Sequence, residues 1–176
     1  DEKAETGPLI SAEHREKVAA YVDKAREQGA KILTGGRAAT SEDTNGQHGT
    51  GTTDLGAGVY YLPTIIDGAT REMDCVHDEA FGPTVTIETF TTEEEAIAIA
   101  NDTEYGLASY VFTKDQARMY RVAESIEFGL MGYNVGVISN PAAPFGGIKA
   151  SGLGREGGRV GIDEFLETTY MAMPRG

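Results

Sequence analysis

Asn134 to Gly158, NVGVISNPAAPFGGIKASGLGREGG, decides how the rest of this chain is read. The stretch is too glycine-rich for a helix interior, and its centre, AAPFGG, is too apolar for a solvated linker. Its backbone is therefore expected to follow a special path beside something else. Gly146-Gly147 and Gly157-Gly158, with Gly152 and Gly154 between them, permit positive φ or close approach to a neighbour. Pro144 holds φ just before Phe145 and so presents the aromatic on a constrained backbone.

The bulk properties set the scale around that loop. A chain of 176 residues with 40% hydrophobic residues is long enough for one ordinary domain with a real core, or for a piece of something larger. A net charge of −13 excludes nucleic acid and anionic membrane as partners held by general electrostatics. The single cysteine, Cys75, excludes an internal disulfide framework and a cysteine-based zinc site, and no metal site is expected. No apolar run approaches a membrane span, and the first residues, DEKAETGPLIS, are charged rather than signal-like, so a cytoplasmic location is expected.

Working outward, SAEHREKVAAYVDKAREQ (11–28) predicts an amphipathic helix capped by Ser11, with Val18, Tyr21, Val22 and Ala25 on its apolar face and Gly29 at its end. AKILTGG follows as a strand. Residues 38–58 carry no periodicity and little hydrophobic mass, which predicts a mobile surface loop. VYYLPTIID reads as extended, with Pro63 placing it at a sheet edge or in a bend. TVTIETF is a strand. The helix begun by TTEEE carries its acids in the first turn, where the positive end of the helix dipole favours them.

LASYVFTK predicts a buried strand, DQARMYRVAESIEFG a helix ending at Gly129, and LMGYNV the strand that delivers the chain into the glycine-rich loop. GRVGIDEFLETTYMAM predicts a short helix and a β-rich tail. Strands alternating with helices argue for an α/β layered domain with mostly parallel pairing and flanking helices.

One further corner stands out. In EAFGP, Glu79 to Pro83, the proline pushes Gly82 toward extended backbone and so predicts a tight, non-helical corner beneath the Glu79 carboxylate.

PFGGIKASGLGREGG, from Pro144 to Gly158, resembles the C-terminal signature of the aldehyde dehydrogenase superfamily, and EAFGP resembles that family's second internal signature, in matching order and separation. Within the family, the run GLMGYNVGVISNPAAPFGGIKASGLGREGGRVGIDEFLETTYM is most similar to the succinate-semialdehyde dehydrogenase branch. The resemblance implies the C-terminal part of a catalytic domain over residues 1–164 and an oligomerisation strand or tail over 165–176. It also implies NAD or NADP as cofactor, a small aldehyde as substrate, and a homo-oligomer as the parent assembly. The implied reaction takes succinic semialdehyde to succinate.

Carried over residue by residue, the resemblance gives Glu79 and Phe81 contacts with the nicotinamide ribose and ring, the carboxylate offering two acceptor oxygens to a cis-diol. Lys17 and His14, three apart on the first helix, match the family's contacts with the adenine ribose, His14 standing where a glutamine is common. Phe145 matches a wall of the aldehyde tunnel, and Ser139 the serine that hydrogen-bonds the distal carboxylate of succinic semialdehyde. A turn serine bonding its own backbone is the alternative for Ser139. Asn134 is read either as orienting a group near the site or as a strand-end asparagine satisfying a loop. Lys149 and Arg155 are read as cations pinning the loop to acidic neighbours.

The family's chemistry runs through a cysteine thiolate that attacks the aldehyde. Cys75 is a poor thiolate, because Asp74, Asp78 and Glu79 surround it in sequence and carboxylates raise a thiol pKa. No G-x-G-x-x-G turn in the right strand and helix context accompanies it. The resemblance places the family's nucleophile further before the EAFGP-like motif than the 78 residues this chain has there, so nucleophile, general base and main cofactor platform are expected outside this chain and no catalytic residue is assigned within it. The chain alone is expected to be inactive and to hold no cofactor tightly. The alternative is a stand-alone module without activity, derived from the same fold, that binds a small acid or pairs its tail with another chain's sheet.

Overall fold

The computed structural model describes residues 6–43, 54–174 and 176. The chain divides into two compact units, Asp1–Thr89 and Phe90–Gly176.

The first unit is built on helix α1 (Ala12–Glu27). Ser11, in extended backbone, caps it by accepting from the backbone N–H of His14 at 3.0 Å. Val18, Val22 and Ala25, on one face, are buried with Ala30, Tyr61, Ile66, Met73 and Cys75 in a single core. Gly29 ends the helix at a φ of 105°, a conformation that favours glycine.

Strands β1 (Lys31–Thr34), β2 (Thr64–Asp67) and β3 (Thr84–Ile87) pair in that order, β1 with β2 antiparallel and β2 with β3 parallel. Between β2 and β3 runs the short helix α2 (Asp74–His77). Of the two readings of Pro63, the sheet edge is overturned: β2 is the central strand of the three. The proline stands just outside the strand, where its missing N–H costs the ladder nothing. Thr64, also buried, accepts from Gly36 N–H at 2.8 Å and donates to Leu62 O at 2.7 Å, so its hydroxyl is satisfied inside the core.

Of the predicted loop 38–58, residues 44–53 lie outside the described residues. Its flanks are held. Ala38 bridges Tyr61, Ala39 is buried, and Arg37 grips Asp43 with both guanidinium nitrogens at 2.6 and 2.7 Å.

The second unit contains α3 (Glu93–Asn101), β4 (Ala108–Val111), α4 (Gln116–Ser125) and β5 (Leu130–Tyr133), β4 and β5 pairing parallel as a separate two-stranded sheet. The glutamates opening α3 do structural work. Thr92 accepts from Glu95 N–H at 3.1 Å, and Glu95 accepts from the amide and hydroxyl of Thr91, each at 2.7 Å. Glu93 receives Arg118 Nε at 2.8 Å and Arg121 Nε at 2.7 Å, tying α3 to α4.

Helix α4 stops at Ser125, short of the predicted Gly129. The Asn101 side chain donates to Ser125 O and accepts from Glu127 N–H, each at 2.8 Å, and that clamp ends the helix. The predicted burial of β4 is only partial, with Tyr110 45% exposed and Phe112, just past the strand, 70% exposed. Past a 3₁₀ turn at Val160–Phe165, residues 166–174 carry no strand, and Tyr170, Met171 and Met173 are largely exposed. Among the described residues, no helix is long and apolar enough to cross a membrane and no group of acidic, histidine and cysteine side chains could hold a metal ion.

Candidate functional site

The nominated residues fall in both units. His14, Lys17, Glu79 and Phe81 belong to the first, and Asn134, Ser139 and Phe145 to the second.

The corner Glu79–Pro83 is held from several sides. Tyr21, on α1, donates its hydroxyl toward Cys75 O at 2.8 Å and Asp78 O at 2.9 Å, which fixes the segment leading into Glu79. Burial, reinforced by Cys75, Asp78 and Asp74, pushes that phenol up to about 12, so it remains a donor throughout the neutral range. Gly82 lies against Val18, and a Cβ there would stand 2.7 Å from Val18 Cγ2. Pro83 O accepts from Thr64 N–H at 2.8 Å and Gly82 O from Thr84 N–H at 2.7 Å.

On this braced backbone Phe81 adopts a φ of 45°. That left-handed conformation costs an aromatic residue on the order of 1–2 kcal/mol, so the surroundings must impose it. His14 supplies one constraint, its Nε2 lying 2.8 Å from Phe81 O. The Phe81 side chain is 75% exposed and Glu79 is exposed beside it. An aromatic face and a carboxylate on one stiff corner suit a flat, diol-bearing ligand.

Lys17 does not join His14 on a shared partner. It pairs with Glu13 at 2.9 Å, an i,i+4 contact that holds the ammonium above its ordinary pKa, chiefly by the hydrogen bond to that carboxylate.

In the second unit, Asn134 closes β5 at a φ of 51°. Its amide accepts from Thr113 N–H at 3.0 Å and donates to Thr113 O at 2.9 Å, so both polar ends serve the neighbouring loop. That is the strand-end role the sequence left open. Ser139 is exposed.

Phe145, half-buried, exchanges backbone bonds with Glu156, at 2.7 Å from its own N–H and 2.8 Å to its carbonyl. The glycine-rich loop is thus pinned as a narrow antiparallel bridge at the aromatic. Glycine is a steric necessity where the chain backbone crowds both the loop and the residue before β5. A Cβ on Gly129 would fall 1.9 Å from Gly146 O, and one on Gly146 would fall 2.5 Å from Gly154 O. Lys149 reaches Glu127 at 2.7 Å and Asn101 O at 3.0 Å, as a cation pinned to an acid. Arg155 departs from that expectation, because its guanidinium donates to the carbonyls of Gly147 and Gly154, at 2.8 and 2.7 Å.

Cys75 is buried on α2, and burial, with Asp74 and Glu88 adding to it, pushes the thiol above its ordinary pKa. It lacks the electropositive surroundings that a nucleophilic thiolate needs. The second unit also holds an apolar cavity of about 490 Å³ between α3, β4 and α4, lined by Phe90, Ile97, Tyr110, Phe112 and Val122 among others. None of the nominated residues lines it. Sequence reasoning missed the bracing of the corner by Tyr21, Val18 and Thr64. Each lies on a separate element, and no local pattern links them to Gly82 or Asp78.

The aldehyde dehydrogenase family profile matches residues 1–171. The chain is 43% identical over 173 residues to a succinate-semialdehyde dehydrogenase of Paenarthrobacter nicotinovorans, covering 98% of this chain and 35% of that enzyme. It is 44% identical over 168 residues to a glutarate-semialdehyde dehydrogenase of Pseudomonas aeruginosa, covering 96% and 32%. Among solved structures, the betaine aldehyde dehydrogenase of Staphylococcus aureus in complex with NAD+ superposes with a TM-score of 0.84 at 42% identity, over 95% of this chain and 31% of that one. This chain spans about a third of the length of the curated relatives it matches. With the profile covering all but its last few residues and full-length enzymes sharing more than four residues in ten, the chain belongs to the aldehyde dehydrogenase family.

Proposed function

We propose that this chain supplies part of the catalytic domain of an NAD(P)-dependent aldehyde dehydrogenase that oxidises a semialdehyde carrying a distal carboxylate, succinic semialdehyde first, to the dicarboxylic acid. The observation that carries the reading is the corner at Glu79–Pro83. It offers an exposed aromatic face at strained φ and, two residues away, an exposed carboxylate. Glu79 accepts the two hydroxyls of the nicotinamide ribose, and Phe81 lies along the nicotinamide ring. When bound, the nicotinamide supplies the hydride acceptor that aldehyde oxidation requires. Phe145 and Ser139 face the substrate, with the serine hydroxyl donating to its distal carboxylate.

Cys75 takes no part, since its buried thiol with a raised pKa is the opposite of an activated nucleophile. The chain alone is therefore inactive, and its activity depends on a thiolate supplied by the rest of a whole enzyme. The proposal includes a cytoplasmic site of action and a homo-oligomer joined through the exposed residues 166–174.

The test is a hybrid in which these 176 residues replace the matching third of the Paenarthrobacter succinate-semialdehyde dehydrogenase. The hybrid is expected to reduce NAD+ or NADP+ with succinic semialdehyde, and Glu79→Gln is expected to raise KM for the nicotinamide cofactor about tenfold, the loss of roughly one charge-assisted hydrogen bond. A folded hybrid whose cofactor KM ignores Glu79→Gln overturns the assignment. NAD(P)H production by the isolated chain overturns the exclusion of Cys75.

A further inference from the structure

We infer that His14 is a positioning residue for the Phe81 ring, an inference that rests on the nicotinamide reading of the Glu79–Pro83 corner. His14 sits in the first turn of α1, one turn before Val18, on the face against which the corner packs. Its Nε2 lies 2.8 Å from Phe81 O, so that nitrogen carries the proton and donates it to the carbonyl. That nitrogen is thereby committed to the backbone, and with the proton on Nε2 the ring's Nδ1 is an acceptor.

The bond falls where the backbone needs it. Phe81 is the one residue of the corner outside ordinary φ space, and the neighbouring carbonyls, of Gly82 and Pro83, are already taken by Thr84 and Thr64. His14 therefore completes a row of three consecutive carbonyls, each held by a donor. Rotation about the Phe81 backbone would redirect the exposed ring, and a turn that moves the carbonyl would have to break the histidine bond first. Helix α1 thereby sets the direction of an aromatic 67 positions further along the chain.

The test uses the isolated 176-residue chain without nicotinamide, labelled with ¹⁵N and ¹³C. In the wild type, the His14 ring is expected to hold its proton on Nε2, with a backbone coupling at Phe81 characteristic of positive φ. His14→Ala is expected to shift the Phe81 coupling and ring resonances while the Val18 and Val22 methyl signals, which report the intact core, stay in place. His14→Gln, which restores a donor at similar reach, is expected to recover the Phe81 signals. Phe81 signals that ignore His14→Ala, or a glutamine variant that behaves like alanine, overturn the assignment. Because no cofactor is present, either result leaves the nicotinamide reading to its own test in the hybrid.

Discussion

The imidazole of His14 and the carbonyl of Phe81 meet at 2.8 Å, although 67 positions separate them in the chain. The contact joins the first helix to a corner at the head of β3, and it is one of several supports beneath the same few residues. Gly82 is the most sensitive of these, because its backbone rests on a side chain with no exposure at all, Val18.

Gly82→Ala is therefore expected to lower stability by about 1–3 kcal/mol, the usual cost of forcing one extra carbon into a packed core. The Cβ would stand 2.7 and 3.1 Å from the two Val18 methyl carbons. Urea denaturation followed by circular dichroism measures it. The double variant Gly82→Ala with Val18→Ala should lose less than the sum of the two single variants, since the second change opens the space that the first one fills, although Val18→Ala is itself destabilising.

Tyr61→Phe should move stability the other way. Tyr61 is 4% exposed, and its buried hydroxyl has no hydrogen-bond partner among the described residues. Removing an unsatisfied polar group from a core is neutral or stabilising, here by up to about 1 kcal/mol. A fall of similar size in thermal denaturation would show that the hydroxyl has a partner after all.

Cys75 should be silent toward thiol reagents in the folded chain. Its burial hinders access and raises the thiol pKa, so little thiolate exists near pH 7.5. Reaction with a chromogenic disulfide is expected to appear only as urea unfolds the protein, with the same midpoint as circular dichroism. Rapid labelling under native conditions would contradict this and reopen the cysteine as a chemical group.

Acid sensitivity in the second unit should centre on Glu93. Hydrogen bonds from Arg121 and then Arg118 lower its carboxyl from 4.5 to about 2. A folded pKa below the unfolded one contributes stability that is fully present above about pH 4.5 and is lost as the pH falls toward 2. Glu93→Gln is expected to flatten the acid limb of the unfolding curve in that window. Because the arginines are half-exposed, salt should shrink the difference between the two proteins. Identical limbs at low salt would remove the ion pair from the account.

Much of this architecture was legible because its causes are local. Ser11 caps the helix its position announces, and in TTEEE the threonine caps α3 while the acids serve its first turn. What the sequence hid depends on partners far away. The early stop of α4 belongs to Asn101, 24 positions from the carbonyl it takes. β2 is central because β1 and β3 flank it, and Pro63 merely precedes it. The tail 166–174 is apolar enough to read as a strand, but a strand needs an edge to pair with, and none of the described strands takes it up. The candidate site shows the same division. Its residue types are visible in EAFGP and PFGG, whereas the supports from Tyr21, Val18 and Thr64 come from other elements.

The near-contact of Gly129 and Gly146 reaches beyond this one molecule. The Gly146 carbonyl occupies the spot from which any side chain at 129 would have to grow. In lineage terms the two positions are expected to change together, since a side chain at the first has room only where the second stretch of chain is displaced. Descendants that enlarge residue 129 should carry a rebuilt loop between Pro144 and Gly158, and a family tree in which that pairing is broken would place the two changes in unrelated folds of the loop.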